Sequence, residues 1–471
     1  MKGNNMRLAE SFRDPGGFMY TQDGILLRQI NVSYRHEYDV LMEGLYDSLL
    51  KKKWIVSHRE ENVFLAFAPE SAYKVIKPEI VPYISYPFEW CFEQYKAASL
   101  LMLDICLEAL NFSMILKDAS AYNIQFWGTR PVLIDTLSFG KYIEGRPWVA
   151  YGQFCKHFLG PILLMSKVNT QLSQLMRVYI DGIPIELTAD LLPGRYKFAP
   201  SIYAHIFLHA KMLRKTKTIY RQNTISEKQK TDSVGKKALT AILQNLKSII
   251  SKCEVKKSIT EWGEYYEGMM NYSDVAFNHK ASIVKNFLAE CSAKSICDMG
   301  GNKGEFSKVA SELGNPYVVC YDLDHTAVNS HFFRLKNNGI KNILPLVLDL
   351  TNPSPAMGWA NEERKTVHER GNWDCTMVLG LIHHLAISNN LPLRKIAGYF
   401  SKLSPWLIVE FVPKEDEQVQ KLLFLKEDIF LEYNIEEFER QFSFFYYIEK
   451  KIEVEDSVRT IYFMRSNRFS T

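Results

Sequence analysis

Residues 296–307, ICDMGGNKGEFS, carry the decisive signal. An apolar run ending at Asp298 enters Gly300, Gly301, Asn302, Lys303 and Gly304, and a helical pattern starts at Glu305, giving D-x-G-x-x-x-G at a strand-to-helix turn. Glycines there let the main chain approach a ligand closely, and the following helix start offers unpaired N–H groups to an anionic group. A dinucleotide fold prefers G-x-G-x-x-G, so this spacing disfavours NAD. Asp322 ends the next apolar run, 24 positions after Asp298, where such folds place an acid to accept hydrogen bonds from ribose hydroxyls.

Outward from that loop, short apolar runs alternate with helical patterns. Candidate strands are 295–298, 317–321, 343–348, 376–379 and 406–411, each too short for a helix. Strands in that rhythm predict a parallel sheet covered by helices. The end differs: 444–455 and 458–464 are β-rich and flank a short polar turn, which predicts an antiparallel hairpin. An ordinary tight turn of an α/β fold would also use the glycines; the order and spacing of the later acids favour a cofactor site.

ICDMGGNKGEFS, then VVCYDLD, LVLDL, WDCTMVLGLIHHL, LIVEF and the hairpin together resemble class I S-adenosylmethionine-dependent methyltransferases over about 262–464. The resemblance implies a Rossmann-like seven-stranded sheet. It also implies that Asp298, Gly300, Gly301 and Gly304 embrace the methionine part of S-adenosylmethionine, that Asp322 holds the ribose with Asp324 as competitor, and that Asp349 lies beside adenine. The segment 379–384 follows strand four, where that family brings substrate to the methyl group, so His383 and His384 are candidate catalytic residues. One is a candidate general base for a hydroxyl, and the blander role is loop shaping. The segment 262–274, with Tyr265, Tyr266 and Tyr272, is a candidate lid.

The first half reads as α+β. Residues 16–30 predict a hairpin turning at Asp23-Gly24, the dipeptide suited to a type I′ turn. A helix is expected over 34–50, strands over 63–67 and 73–76, and a long amphipathic helix over 89–110. Trp148, Tyr151, Phe154 and Phe158 form a helical stripe read as core. Beyond the long helix, Asp118, Asn123 and Asp135 have the spacing D-x-x-x-x-N followed by an apolar strand ending in Asp. This is similar to protein-kinase-like and aminoglycoside-phosphotransferase-like domains in degenerate form. The resemblance implies Asp118 as base and Asn123 and Asp135 as magnesium ligands for ATP. The departures are Leu116-Lys117 before the Asp, Asp135-Thr136-Leu137 in place of D-F-G, and the lack of a phosphate-covering glycine loop or strand-three lysine, with Arg28 alone placed to substitute. A polar turn using the same side chains on nearby backbone is the plainer account.

Length and composition frame these readings. With 471 residues, 47% hydrophobic and 23% charged, the chain holds several cores and is neither disordered nor disulfide-dominated. A net charge of +4 requires no nucleic-acid or anionic-membrane partner. Eight cysteines without a C-x-x-C pair exclude zinc ribbons and redox dithiols and suit a cytoplasmic setting. The opening residues lack an apolar stretch of signal-peptide length, and no run reaches the ~20 residues that cross a bilayer. Three regions are expected: an α+β domain over 1–210, a polar linker and connecting helix over 211–257, and the methyltransferase-like domain over 258–471. The expected activity is methyl transfer to a small-molecule or glycan-type acceptor, with the first half binding substrate or acting as scaffold. The alternatives are an ATP-dependent small-molecule kinase with an accessory methyltransferase half, and a non-catalytic S-adenosylmethionine-binding adaptor. More loosely, the two-part layout resembles bacterial proteins related to a host-specificity nodulation protein, which would imply a sugar-containing acceptor. Oligomeric state is not legible.

Overall fold

The computed structural model describes residues 5–221, 233–255, 273–424 and 428–469, with side chains of 217–221 left aside. It divides into two compact units: 1–126, 130–256 and 356–364 form the first; 127–129, 257–355 and 365–471 form the second. The lid candidates Tyr265, Tyr266 and Tyr272 lie outside the described residues.

In the first unit, β1 (Met6–Arg7), β2 (Gly17–Gln22), β3 (Ile25–Asn31), β4 (His58–Glu61) and β5 (Ala72–Pro78) form one antiparallel sheet in the order β1-β2-β3-β5-β4. Asp23 and Gly24 turn the β2–β3 hairpin with φ of 50° and 77°, as the type I′ reading requires. The helix expected over 34–50 is present over 35–51 but breaks stride at Gly44, where φ is 155° and a Cβ would stand 3.1 Å from the Phe112 ring. The strand expected over 63–67 is not formed. Asn62 caps a tight turn by accepting from the Phe64 N–H at 3.0 Å, Phe64 is 90% exposed, and the strand lies just upstream at β4. The apolar run misled because it faces outward, while the polar β4 pairs through backbone and through Lys74 on Glu60 at 2.6 Å.

The long helix, α1 (Phe92–Asn111), starts three residues later than expected. Glu89 is instead buried in the preceding turn, where its carboxylate accepts from the Tyr86 N–H at 2.8 Å. Four short strands follow: β6 (Met114–Leu116), β7 (Ile124–Trp127), β8 (Arg130–Leu133) and β9 (Phe139–Lys141), paired β6 with β9 and β7 with β8. Of the aromatic stripe, Trp148, Phe154 and Phe158 are buried, as a core role requires. Within the segment expected as linker and connecting helix, α2 (Lys236–Ser251) buries Leu239, Leu243, Leu246, Ile249 and Ile250 and packs on α1. Lys247 also bonds Asp104 there.

The second unit carries a seven-stranded sheet. Its strands are β10 (Ser295–Met299), β11 (Tyr317–Asp322), β12 (Ile343–Val347), β13 (Cys375–Val378), β14 (Trp406–Phe411), β15 (Tyr446–Glu453) and β16 (Thr460–Ser466). The order is β12-β11-β10-β13-β14-β16-β15, with β10 to β14 parallel and β16 antiparallel to β14. Every residue of β12 and β13 is buried, as strands covered on both faces should be. Helix α3 (Asp274–Glu290), capped by the Ser273 hydroxyl, sends Phe287 against Phe463, which stacks in turn on Trp406 at 4.6 Å. Helices α4 (Glu305–Ser311) and α5 (His325–Asn337) follow β10 and β11. Parallel strands with intervening helices bring the carboxyl ends of β10 to β14 to one edge, and the candidate residues of this half gather there. Among the described residues no helix is long and apolar enough to cross a membrane.

Candidate cofactor site

The loop after β10 wraps over the neighbouring strand: the N–H groups of Gly300 and Gly301 donate to the Tyr321 carbonyl at 2.8 and 3.0 Å. Gly300 and Gly304 take φ of 77° and 78°. Gly304 also has no room for a side chain, since a Cβ would stand 1.9 Å from the His331 imidazole. At Gly301 a Cβ would meet Cys320 Sγ at 2.4 Å and Asp298 Oδ2 at 2.7 Å. Packing against β11 and α5 therefore dictates the glycines, and the resulting main-chain cradle lies at the carboxyl edge.

The three predicted acids end adjacent strands. Asp298 is 1% exposed, accepts from the Ser307 hydroxyl at 2.6 Å, and is pushed up to about 6 by burial. Asp322 is half-buried at the end of β11, and burial raises it likewise to about 6. Its Oδ2 accepts from the Asn302 N–H at 2.8 Å and its Oδ1 from the Asp324 N–H at 2.9 Å. The Leu323 N–H also bonds this carboxylate, so the chain turns around it with three backbone donors at the carboxyl edge. Asp324 caps α5, its Oδ1 accepting from the Thr326 and Ala327 N–H groups at 2.7 and 3.4 Å. Asp349 lies just past β12, where its Oδ1 accepts from the Thr351 N–H and hydroxyl at 2.8 and 2.6 Å. Leu323, 62% exposed beside Asp322, offers an apolar surface that sequence reading passed over; a leucine between two acids was the available signal.

An ionised Asp298 is costly in this setting. Asp298→Asn is expected to raise stability by about 1–3 kcal/mol at pH 7.5, from a folded value about two units above the ordinary one. A raised acid favours the fold below its unfolded value and loses that contribution as pH rises through about 6. The gain of the variant should thus vanish near pH 4, as paired urea unfolding curves would reveal.

On the other side of β10, a buried run of alternating charges crosses the strand ends. Lys280 of α3 meets Glu410 of β14 at 2.8 Å, with the two side chains 3% and 0% exposed. Arg459 lies 3.9 Å from Glu410 and forks onto Asp416 at 2.6 and 3.1 Å. Gly380, whose φ of 65° favours glycine, carries the chain past β13 beside Glu410. His383 and His384 follow, ring centroids 4.0 Å apart. His383 is wholly buried; His384 is partly exposed and opens a wide helical turn, His384–Ser388. Burial first, then neighbouring positive charge, lowers both, His384 to about 4. Sequence reading missed Lys280, Glu410, Arg459 and Asp416 because nothing local joins them.

In the first unit, Asn123 and Asp135 are brought together through Ser138. Asn123 donates to its hydroxyl at 3.1 Å, and the hydroxyl donates to Asp135 Oδ2 at 2.5 Å. Asp135 Oδ1 accepts from the Leu137 N–H at 3.1 Å and pairs with Arg28 at 2.5 Å. Burial opposes ionisation of Asp135, yet the Arg28 charge and these bonds outweigh it and hold the carboxyl below its ordinary range. Asp118 bonds locally, its Oδ1 accepting from the Ser120 N–H at 3.0 Å and from the Gln153 amide at 2.7 Å. Asp135 thus serves a guanidinium through Oδ1 and a hydroxyl through Oδ2. No group of three or more His, Cys, Asp or Glu is placed to hold a metal among the described residues.

Comparison with known proteins adds the following. No family model matches the chain. Over 458 residues it is 34% identical to Nodulation protein NoeA of Rhizobium meliloti (strain 1021), spanning 97% of this chain and 95% of that one. Among solved structures, part of the chain is similar to magnesium protoporphyrin IX methyltransferase (ChlM) from Synechocystis PCC 6803, at 16% identity and TM-score 0.31 over 43% of this chain and 91% of that one. It is also similar to N-methyltransferase NodS from Bradyrhizobium japonicum WM9, at 9% identity and TM-score 0.30 over 41% and 98%.

Proposed function

The chain belongs to the family of nodulation protein NoeA, and from that premise we propose that its second unit is an S-adenosylmethionine-dependent methyltransferase acting on a small-molecule or glycan-type acceptor. The observation that carries the reading is the shared edge. There, a main-chain cradle over Gly300–Gly304 faces Asp322, whose carboxylate accepts from the Asn302 and Asp324 N–H groups at the end of β11. In this reading the cradle takes the methionine end, Asp322 grips the ribose, and Leu323 and Asp349 border the base. The cofactor supplies a methyl already activated on a sulfonium, so the protein's work is alignment and proton removal. His383 and His384, past β13, stand on the acceptor side. The first unit holds substrate or serves as scaffold, and no phosphotransfer is derived for it.

Calorimetric titration with S-adenosylmethionine and, separately, with Mg-ATP tests the reading. Micromolar binding of the first, about 7–9 kcal/mol, is expected. Response to Mg-ATP alone would reject it. Affinity should also depend on pH with a definite sign. Asp322 accepts hydroxyls best as carboxylate, and its value stands at about 6. Affinity should be flat from pH 8 to 7 and fall toward tenfold per unit below 6, in titrations at stepped pH. A flat profile down to pH 5 would remove Asp322 from the site.

A further inference from the structure

We propose that Cys291 and Cys375 form an oxidation site, a thiol pair that hydrogen peroxide converts to a reversible disulfide. The site lies at the amino end of β13, the opposite edge of the sheet from the glycine cradle, and the inference is independent of the methyltransferase reading.

Cys291 closes α3 and Cys375 opens β13, and the chain following the first is clamped to the chain preceding the second. Asp374 Oδ2 accepts from the Lys294 and Ser295 N–H groups at 2.8 and 2.9 Å and from the Ser295 hydroxyl at 3.1 Å, while the Asp374 N–H donates to the Ser295 carbonyl at 2.9 Å. Ile296 then pairs with Cys375 in the sheet. Strand register therefore holds the turn after α3 against the start of β13, and the two thiols hydrogen-bond to each other. Cys375 belongs to the apolar core of this unit, and Cys291 packs against that core. Spacing concealed the pair: its members stand 84 positions apart, so no C-x-x-C pattern marks them.

The two thiols differ in the way that peroxide chemistry needs. Of the eight cysteines, seven are buried and Cys291 alone is partly exposed. Burial pushes the other seven thiols up, whereas the hydrogen bond from Cys375 outweighs burial at Cys291 and holds it below the usual thiol range. Cys291 is thus the thiol richest in thiolate at neutral pH and the one that solvent reaches, the two properties that select a cysteine for oxidation. Each S–H otherwise makes one weak contact, Cys291 to the Leu288 carbonyl at 3.4 Å and Cys375 to the Thr376 carbonyl at 3.7 Å, given up at little cost. The Cys291 thiolate attacks peroxide, forming a sulfur–oxygen bond as the oxygen–oxygen bond breaks with its electron pair going to the departing hydroxide. The Cys375 thiol then attacks the Cys291 sulfur, and its proton leaves with the displaced hydroxide as water. Two thiols are oxidised to one disulfide, and one peroxide, taking up the two thiol protons, is reduced to two waters.

The test treats the reduced full chain with stoichiometric hydrogen peroxide, blocks remaining thiols with N-ethylmaleimide and maps tryptic peptides by mass without reductant. Cleavage after Lys285, Lys294, Arg370 and Arg394 puts Cys291 and Cys375 on peptides 286–294 and 371–394, each with a single cysteine. These two peptides should appear joined, two hydrogens lighter than their summed mass, and should separate in dithiothreitol. Before oxidation, iodoacetamide at neutral pH should label Cys291 at least about tenfold faster than any other cysteine. In Cys375→Ser, peroxide should leave a sulfenic acid on Cys291 that dimedone traps, and a folded variant without that adduct overturns Cys291 as the attacked sulfur. An unaltered chain whose Cys291 stays reduced, is oxidised without the link, or joins another cysteine or a second chain overturns the inference. The pairing is read on the unaltered protein, so that result stands whether or not the variant folds.

Discussion

Asp322→Ala should lower S-adenosylmethionine affinity by about 10²–10⁴-fold, the largest binding effect expected of any single change at the site. Two charge-assisted hydrogen bonds to ribose hydroxyls, at roughly 1.5–3 kcal/mol each, account for the size. The same carboxylate ties the Asn302 and Asp324 N–H groups, so alanine also loosens the cradle. Asp322→Asn separates the two contributions. It keeps an acceptor oxygen yet loses the charge and gains an N–H₂ directed at a backbone donor or a hydroxyl, and it should fall between alanine and the unaltered protein. Calorimetry on all three, with circular dichroism to verify folding, measures this. Equal affinity in all three would exclude Asp322 as the sugar-binding acid. Asp324→Ala supplies the contrast: its carboxylate caps α5, so its loss should cost about 1 kcal/mol of stability and little affinity.

Asp135→Ala should destabilise the first unit by about 3–5 kcal/mol, a large effect for a substitution outside its apolar cores. Arg28 is 7% exposed and pairs with Asp135 at 2.5 Å, while its second acid, Asp14, stands at 3.5 Å. Removal of Asp135 leaves a buried guanidinium with one distant partner and leaves the Ser138 hydroxyl without its acceptor. Arg28→Met combined with Asp135→Asn should recover much of the loss, because paired removal of buried charges is far cheaper than unpairing them. Denaturant unfolding of the three variants checks both statements. If Asp135 served magnesium instead, its replacement would change metal-dependent nucleotide binding more than stability. The Arg28 pairing argues for the stability effect.

The elements of the second unit were nearly all legible in the chain. The strand expected over 406–411 is observed over Trp406–Phe411, and the other four parallel strands differ by a residue or so at an end. Short apolar runs bounded by turn residues are local signals, and parallel strands buried on both faces make them strong. The first unit misled where exposure reversed the pattern. Residues 63–67 read as a strand, yet Asn62 turns the chain and Phe64 points to solvent. The polar His58–Glu61 pairs instead, because backbone bonds and the Lys74–Glu60 contact suffice at a sheet edge.

The order of acids after successive strands, the glycine spacing and the Asp23-Gly24 turn were written in the chain alone, since each depends on residues a few positions apart. Tertiary structure decided which side chains meet across long separations. Lys280 finds Glu410 130 positions away, and Arg459 finds Asp416 at 43. It also decided that Asp324 is a cap while Asp322 faces the loop, that His384 is partly exposed where His383 is buried, and that Gly304 is demanded by His331. The physical reason is that burial and charge compensation belong to the packed surroundings of a residue, and only folding assembles those surroundings.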